Sequence, residues 1–172
     1  EEPVGTLLEE VYEMGFFERK NPQLISELKE VLELEGLLGR RTQELSKGEL
    51  QRVIIAFAVL YGSKSLMMDE PIFALEQYQK ERVMEYLTSF AAEQKISVLY
   101  SLHELDLTKR YSDRILLFYQ QGNLELGSVE ETTSREKLER AYEVPYDYLR
   151  RRQHFYREGL MKIAENMTKD EN

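Results

Sequence analysis

Residues 65–71 have the sequence SLMMDEP, and this stretch decides the fold. Its apolar residues predict a buried strand that ends on two carboxylates, Asp69 and Glu70. A second apolar strand is predicted at 96–101, with a helix from about 75 to 92 between the two. Alternation of strand, helix and strand predicts a right-handed crossover and a parallel sheet. The predicted fold class is therefore α/β.

Other elements flank these strands on both sides. A helix is predicted from about 48 to 61, ahead of the first strand. Beyond the second strand, a further strand at 114–119 is followed by a turn and a hairpin partner at 123–126. Residues 130–149 are then predicted to form one helix that runs into Val144-Pro145.

Residues 1–43 are predicted to form two helices. Apolar residues recur at helical spacing within 7–14 and again within 24–32. Asn21-Pro22 combines a capping side chain with a first-turn proline and predicts the start of the second helix, which is expected to continue until Gly36.

Composition excludes several classes of protein. The 172 residues carry a formal net charge of -9 with a pI near 4.9, which argues against nucleic-acid binding. There is no cysteine, so neither a disulfide scaffold nor a thiolate metal site is possible. The longest apolar run, at 53–61, is far shorter than the roughly 20 residues that span a bilayer.

The first candidate site is the stretch LSKGE at 45–49, directly before an apolar helix. The hydroxyl of Ser46, the small Gly48 and the free N–H groups of a helix start suit a phosphate. Lys47 adds attraction toward a phosphate, whereas Glu49 opposes it. The alternative is a structural N-cap by Ser46, with Glu49 completing a capping box.

The second candidate site is the acidic pair together with His103. Open α/β sheets bind their ligands at the carboxyl ends of the strands. There Asp69 can hold Mg²⁺ through water, and Glu70 can orient or deprotonate the water that attacks in phosphoryl transfer. His103 follows the second strand and can donate a hydrogen bond to a phosphate as charge develops. The alternatives are an acidic turn that begins the next helix and an ordinary loop histidine.

In this order and spacing, the patterns resemble the ABC ATPase family. Residues 46–48 are similar to its signature motif, 66–70 to its Walker B strand, 74–76 to its D-loop, and His103 to its switch histidine. The resemblance implies a P-loop NTPase core that uses ATP and Mg²⁺ and pairs with a second ATPase subunit. The residues it assigns to the ATP of the opposite subunit are Ser46, Lys47, Gly48 and Glu49. The residues it assigns to the subunit's own nucleotide are Asp69, Glu70 and His103.

Importers of iron chelates, haem or cobalamin are similar to this chain at 103–107, 111–114, 127, 130–131 and 138–142. Related importers of zinc or manganese are an alternative. That resemblance implies an ATP-hydrolysing importer subunit, peripheral on the cytoplasmic face of the cell membrane, with no nucleic-acid partner. It divides the chain into a helical subdomain at 1–43 that docks on a membrane permease, an ATPase core at 44–128, and a C-terminal helical region at 129–172.

One family motif has no match in the 172 residues. The phosphate-binding loop requires G-x-x-x-x-G-K-[S/T], and the nearest sequence, Lys64-Ser65, lacks both glycines and follows a helix. We therefore expect the N-terminal part of the ATPase fold to lie upstream, and this chain not to hydrolyse ATP by itself. Two alternatives are a non-hydrolysing module that supplies the signature to a partner and a soluble, non-transport ABC ATPase.

Overall fold

The computed structural model describes residues 2–16 and 21–149. Within them the chain divides between Tyr111 and Ser112 into two compact units. Helices and a parallel strand pair confirm the predicted α/β class. The functional division at residues 43 and 128 stays a prediction, and residues 150–172 of its last part lie outside the described residues.

The first unit begins with helices α1 (Val4–Met14) and α2 (Leu24–Val31). The prediction that the second helix continues until Gly36 is wrong. Glu33 adopts a left-handed backbone with φ +52°, its N–H donates to the carbonyl of Glu30, and the N–H of Leu34 donates to that of Lys29. This pair of hydrogen bonds is a Schellman motif, which ends the helix even though its left-handed residue is not glycine.

Helix α3 (Lys47–Leu60) leads into a two-stranded parallel sheet. Strand β1 (Ser65–Met68) pairs with β2 (Ser97–Tyr100), and helix α4 (Gln77–Gln94) connects them, as predicted. In register, Met68 lies opposite Tyr100, so both strands end at the same edge. Helix α5 (Leu105–Tyr111) follows that edge.

One apolar core holds this first unit together. Each of its α-helices and strand β1 contributes side chains that are almost inaccessible to solvent. Burial of such apolar side chains is the dominant favourable term in folding. Members that represent the elements are Leu8, Leu28, Ile55, Leu66, Met84 and Leu107. Among the described residues, no helix has the length and apolar character needed to cross a membrane.

The second unit is built on an antiparallel hairpin of β3 (Arg114–Phe118) and β4 (Leu124–Ser128), which confirms the predicted hairpin. Helices α6 (Val129–Thr132) and α7 (Arg135–Tyr142) follow, so the single helix predicted across 130–149 is wrong. The hydroxyls of Thr132 and Thr133 donate to backbone carbonyls four residues earlier, and the chain then leaves the helical path before α7 begins.

Candidate functional site

Asp69 and Glu70 follow the carboxyl end of β1 directly. Glu70 has a left-handed backbone, with φ +46°, a conformation that costs a non-glycine residue roughly 1–2 kcal/mol. Ser101, directly after β2, stabilises this turn through one hydroxyl. Its Oγ accepts a hydrogen bond from the Glu70 N–H at 2.9 Å and donates one to Asp69 Oδ1 at 2.5 Å. A single side chain therefore orients both acidic residues.

His103 lies next to the acidic pair. Its Nε2 is 2.6 Å from Glu70 Oε1, and the two side chains are 72% and 37% exposed. The contact therefore lies at a solvent-facing rim and is not sealed in apolar packing. The structure thus brings Asp69, Glu70 and His103 to one edge of the parallel sheet.

A small open pocket adjoins this contact. Ile72 is buried in its wall, whereas Phe73 is 60% exposed. The pocket is lined by Glu70, Ile72, Phe73, Leu102, His103 and Glu104. Apolar surface beside a carboxylate and an imidazole can exclude part of the water from a reacting group while leaving the rim open.

Asp69 suits a hydrated magnesium ion better than a closed metal cage. Its carboxylate is exposed, and Ser101 engages Oδ1, so Oδ2 can face a hydrated cation. Among residues 2–16 and 21–149, no group of three or more His, Cys, Asp or Glu side chains could hold a metal ion. An ion at Asp69 would take its remaining ligands from water and from a phosphate, which is how Mg²⁺ is commonly bound at nucleotide sites.

The loop at 45–49 forms the start of α3. Ser46 Oγ accepts a hydrogen bond from the Glu49 N–H at 3.3 Å, and Glu49 Oε2 accepts one from the Ser46 N–H at 2.7 Å. The structural alternative, a capping box, is therefore present. The Ser46 N–H lowers the pKa of Glu49, and Arg40, which donates to Glu49 Oε1 at 2.8 Å, adds to this effect.

Gly48 connects the two candidate sites. A Cβ at this position would lie 2.7 Å from the backbone oxygen of Ala74, so the loop after the acidic pair packs directly against the first turn of α3. That loop is a compact turn, because the N–H of Phe73 donates to the Glu70 carbonyl and the N–H of Leu75 to the Ile72 carbonyl. A glycine is required at position 48 by this close approach.

Comparison with known proteins finds that this chain is similar to the ATP-binding proteins of several importers. The molybdenum import ATP-binding protein ModC of Shewanella sp. (strain MR-4) is 33% identical over 119 residues, which cover 69% of this chain and 33% of the relative. The phosphonates import ATP-binding protein PhnC 2 of Haloarcula marismortui is 42% identical over 98 residues, covering 55% of this chain and 36% of the relative. These matches support the predicted resemblance of the chain to the family of ABC transporter ATP-binding subunits. No protein-family model matches the chain.

Solved structures of ABC proteins share the fold. A putative metal-chelate type ABC transporter in an inward-facing conformation superposes with a TM-score of 0.67 at 23% identity, covering 83% of this chain and 59% of the other. A chain in the complex of archaeal ribosomal stalk protein and ribosome recycling factor gives 0.63 at 28% identity, covering 75% and 24%. The chain spans about a third of the length of the import ATP-binding proteins it matches.

Within this ABC framework, the residue roles remain predictions, and sequence reasoning misses one important position. Ser101 bonds to both Asp69 and Glu70, yet it belongs to none of the motifs. The available signal is a small hydroxyl residue at the end of a predicted strand, two positions before His103. That signal becomes informative only when the strand is known to pair in parallel with β1.

Proposed function

We propose that this chain supplies the signature, Walker B and switch-histidine parts of an ATPase subunit that drives an ABC importer. The observation that carries the proposal is the convergence of Asp69, Glu70 and His103 at the edge of the parallel sheet, with His103 Nε2 2.6 Å from Glu70 Oε1. The related import ATP-binding proteins support the same function class.

The chemistry assigned to this edge is hydrolysis of the γ-phosphate of ATP. Magnesium, held through water by Asp69, would neutralise charge on the phosphates. Glu70 orients and deprotonates the attacking water. Its backbone N–H donates a hydrogen bond to Ser101, which holds the turn that carries the carboxylate. His103 donates to the phosphate oxygens as negative charge grows on them. Its contact with Glu70 holds the imidazole at the rim where that phosphate would lie.

The signature residues serve a second subunit in this proposal. The start of α3 offers the Ser46 hydroxyl, the dipole of the helix and the side chain of Lys47 to an ATP bound by the opposite subunit. Because Glu49 is engaged by Ser46 and Arg40, part of its negative charge is offset within its own loop. The N-terminal helices within 1–43 dock on a membrane permease, which places the subunit at the cytoplasmic face of the membrane.

The transported substrate is proposed to be a metal chelate of the iron, haem or cobalamin kind, on the resemblance of residues 103–107. The relatives named above are importers of molybdenum and phosphonates, so they support import in general and not this substrate class. Transport assays with the cognate permease would decide between these cargoes, since the permease contacts the cargo and the ATPase does not.

Substitution Glu70→Gln in the complete native protein tests the assigned chemistry. ATP binding should persist, while kcat should fall by about 10²–10⁴-fold because the amide cannot accept the proton of the attacking water. Glu85→Gln, on the exposed side of α4, is the matched control and should leave turnover unchanged. Equal turnover of parent and Glu70→Gln would remove Glu70 from the mechanism.

A second candidate function has one supporting observation. The similarity to a chain in the ribosome recycling complex favours a soluble, non-transport ABC ATPase. Copurification of the complete protein with a membrane permease would count against it.

A further inference from the structure

We infer that Lys80 is a positioning residue for His103, acting through an ion pair with Glu104, the next residue along the chain. This rests on the proposed function, which gives His103 its role against a transferring phosphate. Lys80 lies on α4, away from every motif of the sequence, and its Nζ contacts Glu104 Oε1.

Lys80 occupies a core position of its helix. It shares the buried face of α4 with Val83, Met84 and Leu87, which follow at helical spacing, and only 7% of the residue is exposed. Lysine is seldom buried to this extent without a partner, because its ammonium group loses its hydration. The contact with Glu104 compensates for that loss. The same contact ties Glu104 to α4.

Glu104 is also fixed through its backbone. Its carbonyl accepts hydrogen bonds from the N–H and the hydroxyl of Thr108, each at 2.9 Å, at the start of α5. Leu107 of that helix is buried in the core of the first unit. Glu104 is therefore held on two sides, with its side chain against α4 and its main chain in the first turn of α5.

His103 is the residue next to this anchor. Its imidazole is 72% exposed and contacts Glu70 Oε1 at 2.6 Å, so its position depends on that contact together with the backbone that carries the ring. That backbone is one peptide away from the anchored Glu104. A reacting group at a rim needs such a second layer of support to keep its geometry.

The two residues of the ion pair differ in burial, and this difference decides which one should be substituted in a test. The side chain of Lys80 is 8% exposed and that of Glu104 is 31% exposed. Removing Glu104 would leave an ammonium ion unpaired in the core, which threatens folding. Removing Lys80 leaves a carboxylate that water can reach, so the chain keeps its fold and the anchor loosens.

The test compares Lys80→Met with Arg110→Met in the complete native protein. Arg110 also joins α5 to α4, through Glu81 at 3.7 Å, but both of these side chains are well exposed. The measurements are the imidazole nitrogen-15 NMR signals of His103, assigned by their loss in His103→Gln, together with kcat and KM for ATP. Lys80→Met should shift and broaden the His103 signals and lower kcat about tenfold with KM nearly unchanged.

Two control variants test whether the expected change at His103 is specific to the loss of the Lys80 charge. Arg110→Met should match the parent in both measurements, because a surface ion pair contributes little. Lys80→Arg keeps the positive charge and should lie closer to the parent than Lys80→Met does. If Lys80→Met fails to melt cooperatively, Glu104→Asp replaces it, since it keeps both charges and moves the anchor by one methylene group.

The NMR signals are read without ATP, so the two proposals fail separately. Unchanged His103 signals in Lys80→Met, or in Glu104→Asp where it is needed, would overturn the inference whatever the turnover. Altered signals in a protein that hydrolyses no ATP would uphold the anchoring of His103 and count against the proposed function. Altered signals with an undiminished kcat would also refute a positioning role for Lys80 in the reaction.

Discussion

Replacing Gly48 with alanine tests whether the Ala74 backbone fixes the start of the signature helix. The new Cβ would lie 2.7 Å from the Ala74 oxygen, so the two groups must separate by about 0.7 Å to reach ordinary contact. The obstacle is a backbone carbonyl within a hydrogen-bonded turn, which cannot rotate aside as a flexible side chain can. Either α3 or the loop at 70–75 must move.

Two opposing effects set the magnitude for Gly48→Ala. Alanine is favoured over glycine in a helix interior by about 1 kcal/mol, and by less in a first turn. Overpacking against a fixed neighbour costs about 1–3 kcal/mol. The clash should therefore exceed the helical gain, and the free energy of unfolding should fall by about 1–2 kcal/mol.

The assay is urea unfolding of the Gly48→Ala variant beside Gly36→Ala, with ATP turnover measured in the complete native protein. A Cβ at Gly36 meets nothing within 4 Å, and its φ is not in the left-handed region, so this control reports the effect of alanine without a clash. Gly36→Ala should equal or exceed the parent in stability. If Gly48→Ala proves as stable as Gly36→Ala, the close approach to Ala74 does not restrain the loop and the reasoning is refuted.

Two further predictions concern the hydrogen bonds that shape the candidate sites. Ser101→Ala removes two hydrogen bonds and should lower the free energy of unfolding by about 1 kcal/mol. This value is near the low end for two hydrogen bonds, because water reaches these groups. The substitution should also reduce ATP turnover. Ser97→Ala, at an exposed position of β2, should change neither quantity, and equal behaviour of the two variants would contradict the role of Ser101. The pKa of Glu49 is lower in the folded state than its ordinary value of 4.5. The ionised Glu49 therefore stabilises the fold at pH values above 4.5, and this stabilisation is lost as pH falls through the pKa of the folded state. Thermal unfolding of Glu49→Gln should thus depend less on pH below about 4.5 than that of the parent, and identical acid slopes would argue against the assignment.

Patterns that are local in sequence predicted the fold well. The helix–strand alternation from α3 to β2 and the turn between β3 and β4 follow from apolar runs and turn residues a few positions apart. The end of α2 was not predictable in this way. Its sequence continues the helical apolar pattern beyond Val31, and the helix ends because Glu33 takes a left-handed backbone that most sequences reserve for glycine.

The candidate site also contains features that local sequence patterns do not predict. Asp69, Glu70 and His103 belong to motifs, and the parallel register brings them together. Ser101 and Lys80 contribute through partners that lie 32 and 24 positions away in the chain, at Asp69 and Glu104. A hydrogen bond or a buried ion pair between such positions leaves no periodic signal, so it appears only once the fold is known.

The contact between Gly48 and Ala74 also bears on how the proposed subunits would communicate. Glu70 begins the turn whose carbonyl at Ala74 lies against the first turn of α3, and internal hydrogen bonds keep that turn compact. A displacement of Glu70 during hydrolysis would therefore be carried by backbone atoms to Ser46 and Lys47, with no flexible side chain between. The signature residues are proposed to face the ATP of the opposite subunit. Hydrolysis of one nucleotide would therefore alter the contacts of the signature residues with the other nucleotide. If this coupling exists, the parent should hydrolyse ATP cooperatively, whereas the two sites of Gly48→Ala should hydrolyse ATP independently.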